Sequence, residues 1–207
     1  MKPATNLEQV ILDAATELFL ERGFDSTSTT DIAKKAGCNQ ALVHYYFRTK
    51  ENLFLRIFKK NIETFLSFAN NYKYSGEFFP FLEKGIETYF DILKSNRNLP
   101  LFLIKEFAMN EDRRIFFREN FVQNELRRSV YYKFDRIVKQ EIENGVIRPI
   151  ETLNLLLDIM SLCAFTFISL PMYATWLEKD ESEIDYYIED RKKEILLFVR
   201  NGLQPLH

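Results

Sequence analysis

Apolar residues recur at helical spacing along most of the chain. In the first such segment they are Leu7, Ile11, Ala14 and Leu18, and the pattern predicts a helix over 6–22. The same spacing predicts helices over 29–36, 40–46, from 50 onward, 77–95, 99–109, 113–118, 121–144, 151–177 and 183–201. Strand-like alternation does not occur in the sequence. The predicted fold class is therefore all-α.

Capping and helix-breaking residues mark several of the predicted ends. Ser28 is followed three residues later by Asp31, which is the spacing of a capping box. Thr49 is placed to cap the helix that begins at residue 50. Pro171 lies inside the predicted helix 151–177, and we expect it to kink or shorten that helix.

One uncharged run, over residues 159–177, is close to the length of a membrane span. It contains four Ser or Thr side chains and Pro171, and no positive cluster flanks it. A helix buried in a core or a subunit interface has the same composition. The N-terminal segment shows no secretory pattern, because Glu8, Asp13 and Glu17 interrupt it. We expect no membrane partner and a cytoplasmic protein.

The composition is that of a folded chain, and its net charge argues at first against nucleic acid. Of the 207 residues, 46% are hydrophobic and 28% are charged, with a net charge of −2. The two cysteines, Cys38 and Cys163, are too few for a disulfide framework or a four-cysteine zinc site. We expect them to be reduced thiols and predict no metal site.

Dividing the charge along the chain reverses the inference about nucleic acid. Residues 1–31 and residues 61–207 each carry a net charge of −4. Residues 32–60 hold seven basic side chains and one acidic side chain, a net charge of +6. A local positive patch is what contact with phosphates requires, although a solvated helix face has the same appearance.

The patch coincides with two short predicted helices joined by a three-residue turn, Gly37-Cys38-Asn39. Residues 11–54 read ILDAATELFLERGFDSTSTTDIAKKAGCNQALVHYYFRTKENLF. This segment resembles the N-terminal DNA-binding domain of TetR-family (TetR/AcrR-type) transcriptional regulators. The matching elements are Ala14-Ala15-x-x-Leu18-Phe19, Gly23-Phe24, Thr29-Thr30-x-Ile32-Ala33-x-x-Ala36-Gly37 and Tyr46-Phe47-x-x-Lys50-Glu51-x-Leu53.

The resemblance implies two domains and a homodimer that binds DNA. Residues 1–50 are expected to form the helix-turn-helix DNA-binding domain, and residues 51–207 a helical ligand-binding and dimerisation domain. The implied partners are a double-stranded DNA operator, a small-molecule effector and a second copy of the chain. The implied function is a transcriptional regulator, expected to act as a repressor on a near-palindromic operator and to be released by a lipophilic ligand.

The second helix of such a motif enters the major groove, where its first residues reach base edges. Asn and Gln amides pair with adenine, a small Ala can contact a thymine methyl group, and a helix start can hold phosphate. The DNA contacts so predicted are Thr29, Asn39, Gln40, Ala41, His44, Tyr45, Thr49 and Lys50. The sequence departs from the family at Asn39-Gln40-Ala41, where Ser-Lys-Gly is frequent, and at His44, where Tyr is frequent. For Asn39, a role as the N-cap of the helix stays open.

Aromatic residues are concentrated between positions 78 and 134, which hold ten Phe and three Tyr. Such a segment can line an apolar ligand pocket, and a Phe-packed core is the competing explanation. The candidate effector-binding residues are Phe90, Phe102, Glu106, Phe107, Gln123 and Tyr131.

The last two predicted helices expose more apolar surface than one partner helix covers. A two-fold interface would cover the excess, with the intrachain core as the competing role. The candidate interface residues are Phe165, Ile168, Met172, Trp176, Ile195, Phe198 and Val199.

An enzyme and a helical adaptor are the two alternatives to a regulator. An enzyme is not expected, because no GxGxxG, Walker, HExxH or CxxC pattern occurs and the two histidines have no partner at catalytic or metal spacing. No cofactor is predicted. The alternative that stays open is a helical adaptor whose basic patch binds a protein or an anionic membrane surface.

Overall fold

A computed structural model of the protein describes residues 7–57, 59, 73–108, 111–117, 119 and 125–205. The side chains at positions 107–108, 113, 116–117 and 125–129 lie outside that description. The helices are α1 (Leu7–Arg22), α2 (Thr29–Lys35), α3 (Gln40–Phe47), α4 (residues 50–57), α5 (Phe78–Ser95), α6 (Leu99–Ala108), α7 (Glu111–Phe117), α8 (Glu125–Glu143), α9 (Thr152–Trp176) and α10 (Glu181–Leu203). No strand occurs among these residues, and the predicted all-α class is confirmed.

The helix ends follow the local side-chain chemistry. The Ser28 side chain accepts a hydrogen bond from the Asp31 amide and the Asp31 carboxylate bonds the Ser28 amide, so the predicted capping box is confirmed. α10 begins two residues before the prediction because Asp180 forms a second capping box with Glu183. α9 continues past Pro171, which therefore does not shorten it.

The chain forms two compact units, of which the first comprises residues 1–63 and 101–123. In this unit α1 packs against α2, and α2 packs against α3. The ring of Phe54 lies 5.9 Å from Phe19, 5.2 Å from Phe24 and 5.5 Å from Phe102, measured between centroids. This aromatic cluster is the core beneath the turn and helices of the basic segment.

The second unit comprises residues 64–100 and 124–207. α9 packs against α5, α8 and α10, and α5 also packs against α10. The rings of Phe90 and Phe167 lie 5.1 Å apart within this core. Ion pairs join α5 to α10 at the surface, for example Lys192 with Asp91, whose Nζ and Oδ1 atoms are 2.7 Å apart.

The predicted domain boundary at residue 50 stays a prediction. Residues 101–123, from the chain assigned to the ligand-binding part, belong to the same compact unit as the N-terminal helices. Among the described helices, α9 alone is long and apolar enough to cross a membrane by length and composition, with 33% of its most apolar stretch buried. Core helices of proteins without a membrane span meet the same two criteria.

Candidate nucleic-acid interface

The helix-turn-helix is α2, the turn that follows it, and α3. Gly37 supplies the positive φ of the turn, +68°, and the Cys38 amide donates to the Ala33 carbonyl at 2.9 Å. The Asn39 side chain then caps α3 by accepting a hydrogen bond from the Leu42 amide at 3.0 Å. The N-cap role that the sequence left open for Asn39 is therefore present in the structure.

α3 buries one face and exposes the other. Val43 and Phe47 point into the core of the first unit and are buried. The predicted DNA contacts on the opposite face are all exposed: Gln40, Ala41, His44 and Tyr45. Tyr45 is 68% exposed, which leaves its ring and hydroxyl group available to a partner.

The predicted contacts that flank α3 lie at helix starts. Thr29 opens α2, and its Oγ1 atom accepts a hydrogen bond from Gln40 Nε2 at 2.8 Å, which brings the two helices together at the exposed face. Thr49 caps α4, since its Oγ1 atom accepts from the Asn52 amide at 3.1 Å. The predicted cap at Thr49 is thus confirmed.

Lys50 has a structural role that the sequence did not reveal. Its Nζ atom donates hydrogen bonds to the carbonyl oxygens of Phe24 and Thr27, both at 2.9 Å. The same atom lies 4.1 Å from the centroid of the Phe24 ring. An ammonium group has three donors, so one N–H of Lys50 stays available for a phosphate.

The positive charges near α3 are unequally available. Lys35 forms an ion pair with Glu17 of α1, whereas Arg48 follows α3 directly and is exposed. Arg48 adopts a positive φ of +66°, and this backbone conformation ends α3. Its amide donates to the carbonyl oxygen of His44 at 2.9 Å.

The predicted effector-binding residues that the structure describes are divided between the two units. Phe102 and Glu106 are buried on α6 in the first unit, whereas Phe90 is buried and Tyr131 exposed in the second. Phe107 lies in α6, but its side chain is outside the description, and Gln123 is outside the described residues. These assignments stay predictions.

Glu106 has a partner that local sequence patterns cannot show. Its Oε1 atom accepts a hydrogen bond from the Phe24 amide at 3.1 Å, across a sequence separation of 82 residues. The contact fixes the loop between α1 and α2 from the side of α6. The sequence predicted Glu106 only as a candidate effector-binding residue, and no local pattern pointed to the Phe24 amide.

The predicted dimer residues divide between the surface and the core of the second unit. Phe165, Met172, Trp176 and Phe198 are large, apolar and more than half exposed. Ile168 is half-buried, while Ile195 and Val199 are buried within the chain. Ile195 and Val199 thus lie in the intrachain core, which is the competing role that the sequence left open.

An open cleft of about 1030 Å³ lies between α9 and α10 in the second unit. The residues that line it are mostly apolar or aromatic and include Phe165, Tyr173, Leu177, Ile184 and Tyr187. Within the described residues, no group of three or more His, Cys, Asp or Glu side chains could hold a metal ion.

This arrangement is a helix-turn-helix, in which a three-helix core presents α3 with one face buried and the other exposed. Residues 11–57 match the family model for bacterial regulatory proteins of the tetR family. This segment is therefore similar to the DNA-binding part of tetR-family transcriptional regulators.

The relatives include regulators from Gram-positive bacteria. Over 58 residues the chain is 45% identical to the HTH-type transcriptional regulator QacR of Staphylococcus aureus, covering 28% of this chain and 30% of QacR. Over 139 residues it is 25% identical to the fatty acid metabolism regulator protein of Bacillus subtilis, covering 67% and 69% of the two chains. Less than a third of QacR is thus matched.

Solved structures share the fold over nearly the whole chain. The crystal structure of HlyIIR, a hemolysin II transcriptional regulator, matches with a TM-score of 0.64 at 21% sequence identity. The match covers 97% of this chain and 98% of HlyIIR. The likeness extends the all-α assignment beyond the N-terminal segment that the family model covers.

Proposed function

We propose that this protein is a cytoplasmic repressor that binds a near-palindromic DNA operator as a homodimer and is released by a lipophilic effector. The observation that carries the DNA part is the exposed face of α3, where Gln40, His44 and Tyr45 stand opposite a buried face. An exposed face of amide, imidazole and phenol groups, within a segment of net charge +6, suits base edges and phosphates.

The exposed apolar side chains of α9 and α10 support the dimer. Phe165, Met172, Trp176 and Phe198 form more apolar surface than a monomer usually leaves in water. A two-fold pairing of this surface in two copies gives two α3 helices, which suits a palindromic site.

Two observations support a lipophilic effector. The B. subtilis relative is named for fatty acid metabolism, and the aromatic segment 78–134 suits an apolar ligand. Residues Phe90, Phe102, Glu106, Phe107, Gln123 and Tyr131 remain the candidates. Effector binding would shift the dimer toward an arrangement with lower operator affinity.

Matched double variants test the DNA interface. On a duplex recovered by selection, we expect Gln40→Ala/Tyr45→Ala to lower affinity at least about tenfold, because each lost base contact costs about 1–3 kcal/mol. The control is Gln140→Ala/Tyr132→Ala, which removes the same side-chain types from exposed positions of α8. Fluorescence anisotropy at several salt concentrations measures the DNA affinity of both double variants. The affinity should fall steeply as the salt concentration rises.

Equal affinities for the two double variants would contradict the assignment of α3. Binding to anionic vesicles, with no binding to duplex DNA, would instead support the adaptor alternative.

A further inference from the structure

The side-chain amide of Gln40 is held by two neighbours on the exposed face. Its Nε2 atom donates a hydrogen bond to Thr29 Oγ1 at 2.8 Å. The same Nε2 atom lies 3.4 Å from Nε2 of His44, one turn further along α3. Which of these two nitrogens is the donor depends on where the imidazole carries its hydrogen.

A contact at the end of α3 shows which nitrogen of His44 carries the hydrogen. Nδ1 of His44 lies 3.1 Å from the carbonyl oxygen of Arg48. A carbonyl oxygen only accepts, so Nδ1 carries the hydrogen and donates it. In the neutral ring, Nε2 then holds a lone pair and accepts the hydrogen bond from Gln40.

Both amide hydrogens of Gln40 are therefore engaged within the protein. A glutamine NH₂ group has two hydrogens, and here one goes to Thr29 and the other to His44. Among the described residues, none donates a hydrogen bond to Oε1 of Gln40. The carbonyl oxygen is the part of the amide that is left to pair with a ligand.

We propose that Thr29 and His44 orient Gln40 so that it reads DNA bases through its carbonyl oxygen alone, an inference that rests on the proposed operator binding. In the major groove, adenine N6 and cytosine N4 are hydrogen-bond donors. Guanine and thymine offer acceptors to the same approach. Gln40 thus selects an amino-bearing base, adenine or cytosine, and rejects guanine and thymine.

An unrestrained glutamine reads DNA differently. Its NH₂ group donates to adenine N7 while its oxygen accepts from adenine N6, and this bidentate pair selects adenine alone. Thr29 and His44 therefore determine specificity at this position through the orientation of a neighbour. Any phosphate contact of their own adds affinity without changing which base Gln40 selects.

Enrichment of random duplexes on purified protein tests the inference. For the wild type we expect one position in each half-site that holds adenine or cytosine, with guanine or thymine weakening binding about 5- to 150-fold. Gln40→Ala should remove the preference at that position and leave the rest of the site. Gln40→Glu, whose carboxylate only accepts, should keep the discrimination against guanine and thymine.

The orienting residues are tested by the double variant Thr29→Val/His44→Phe. This variant frees both amide hydrogens of Gln40 on an exposed surface. We therefore expect the base preference at the position that Gln40 reads to change from adenine or cytosine to adenine alone. A thermal melt checks that each variant is folded.

Three outcomes would overturn the inference while the proposed operator binding stands. They are a wild-type preference for adenine alone, a site with no position that responds to Gln40, and a Thr29→Val/His44→Phe site identical to the wild-type site. Failure of the wild type to enrich any duplex would overturn the proposed function itself.

Discussion

The Nζ atom of Lys50 bonds two carbonyl oxygens of the loop between α1 and α2, Phe24 and Thr27, and lies over the Phe24 ring. The side chain is half-buried, so these contacts replace much of its hydration. One residue can thus stabilise the loop and keep a donor for a phosphate. A loss of DNA affinity at Lys50 must therefore be separated from a loss of stability.

Replacing Lys50 by methionine should lower the free energy of unfolding by about 1–3 kcal/mol, because two carbonyl oxygens lose their charged donor. Urea unfolding followed by circular dichroism measures this change. Lys34→Met is the control, since Lys34 is an exposed lysine of the same basic segment. Equal stability of the two variants would show that the Lys50 contacts do not stabilise the loop.

A buried thiol and a half-buried phenol should make the protein sensitive to alkaline pH. Burial raises the pKa of Cys163 from 9.0 to about 12 and the pKa of Tyr89 from 10.0 to about 12. Above pH 9 the unfolded chain loses these protons before the folded chain does, and ionisation therefore favours unfolding. The stabilisation is complete below pH 9 and decreases toward pH 12, by up to about 1.4 kcal/mol per pH unit for each group.

Denaturant titrations at several pH values test this expectation. Relative to the wild type, Cys163→Ala should lessen the decline from pH 9 upward, and Tyr89→Phe should lessen it from pH 10 upward. A wild-type unfolding free energy that stays constant across this range would contradict the assignment.

At the scale of elements, most helices were predictable because their signals are local. The capping box of Ser28 and Asp31, the cap at Thr49 and the apolar spacing act within one or two helical turns. The exposed side chains of α3 followed from the same periodicity. Contacts across long sequence separations, such as that from Glu106 to Phe24, depend on packing and carry no local signal.

Ser28→Ala should destabilise the first unit by about 1 kcal/mol, because α2 loses its N-cap. The neighbouring Ser26 is exposed and makes no capping bond in the described structure, so Ser26→Ala is a matched control. Thermal melting measured for both variants separates the cap from a general effect of losing a hydroxyl group. Melting temperatures that fall equally would contradict the role of Ser28.

At the scale of the whole molecule, the uncharged run over 159–177 became a helix with both a buried and an exposed side. Its core residues Cys163 and Phe167 pack inside the second unit, while Phe165, Met172 and Trp176 remain exposed. Composition alone could not separate these sides. The predicted dimer interface therefore combined Ile195 and Val199 of α10, which are buried, with residues that are exposed. Which residues of α10 are buried depends on its packing partners, α5 and α9, and the periodicity of one helix does not identify those partners.

The double variant Phe165→Glu/Phe198→Glu should convert the proposed dimer into a monomer, because it places charges in an apolar interface. Sedimentation velocity measures the change in mass. Tyr132→Glu is the control, an exposed aromatic residue of α8 outside the proposed interface. A wild type that sediments as a monomer would contradict the dimer directly.

Selection of DNA from a random duplex pool by the wild-type protein tests operator binding by a dimer in one experiment, because it reports DNA binding and two-fold symmetry together. We expect enrichment of an inverted repeat whose half-sites are spaced by about one helical turn or a multiple of it. A pool that stays random, or an enriched site without two-fold symmetry, would contradict a dimeric operator-binding regulator.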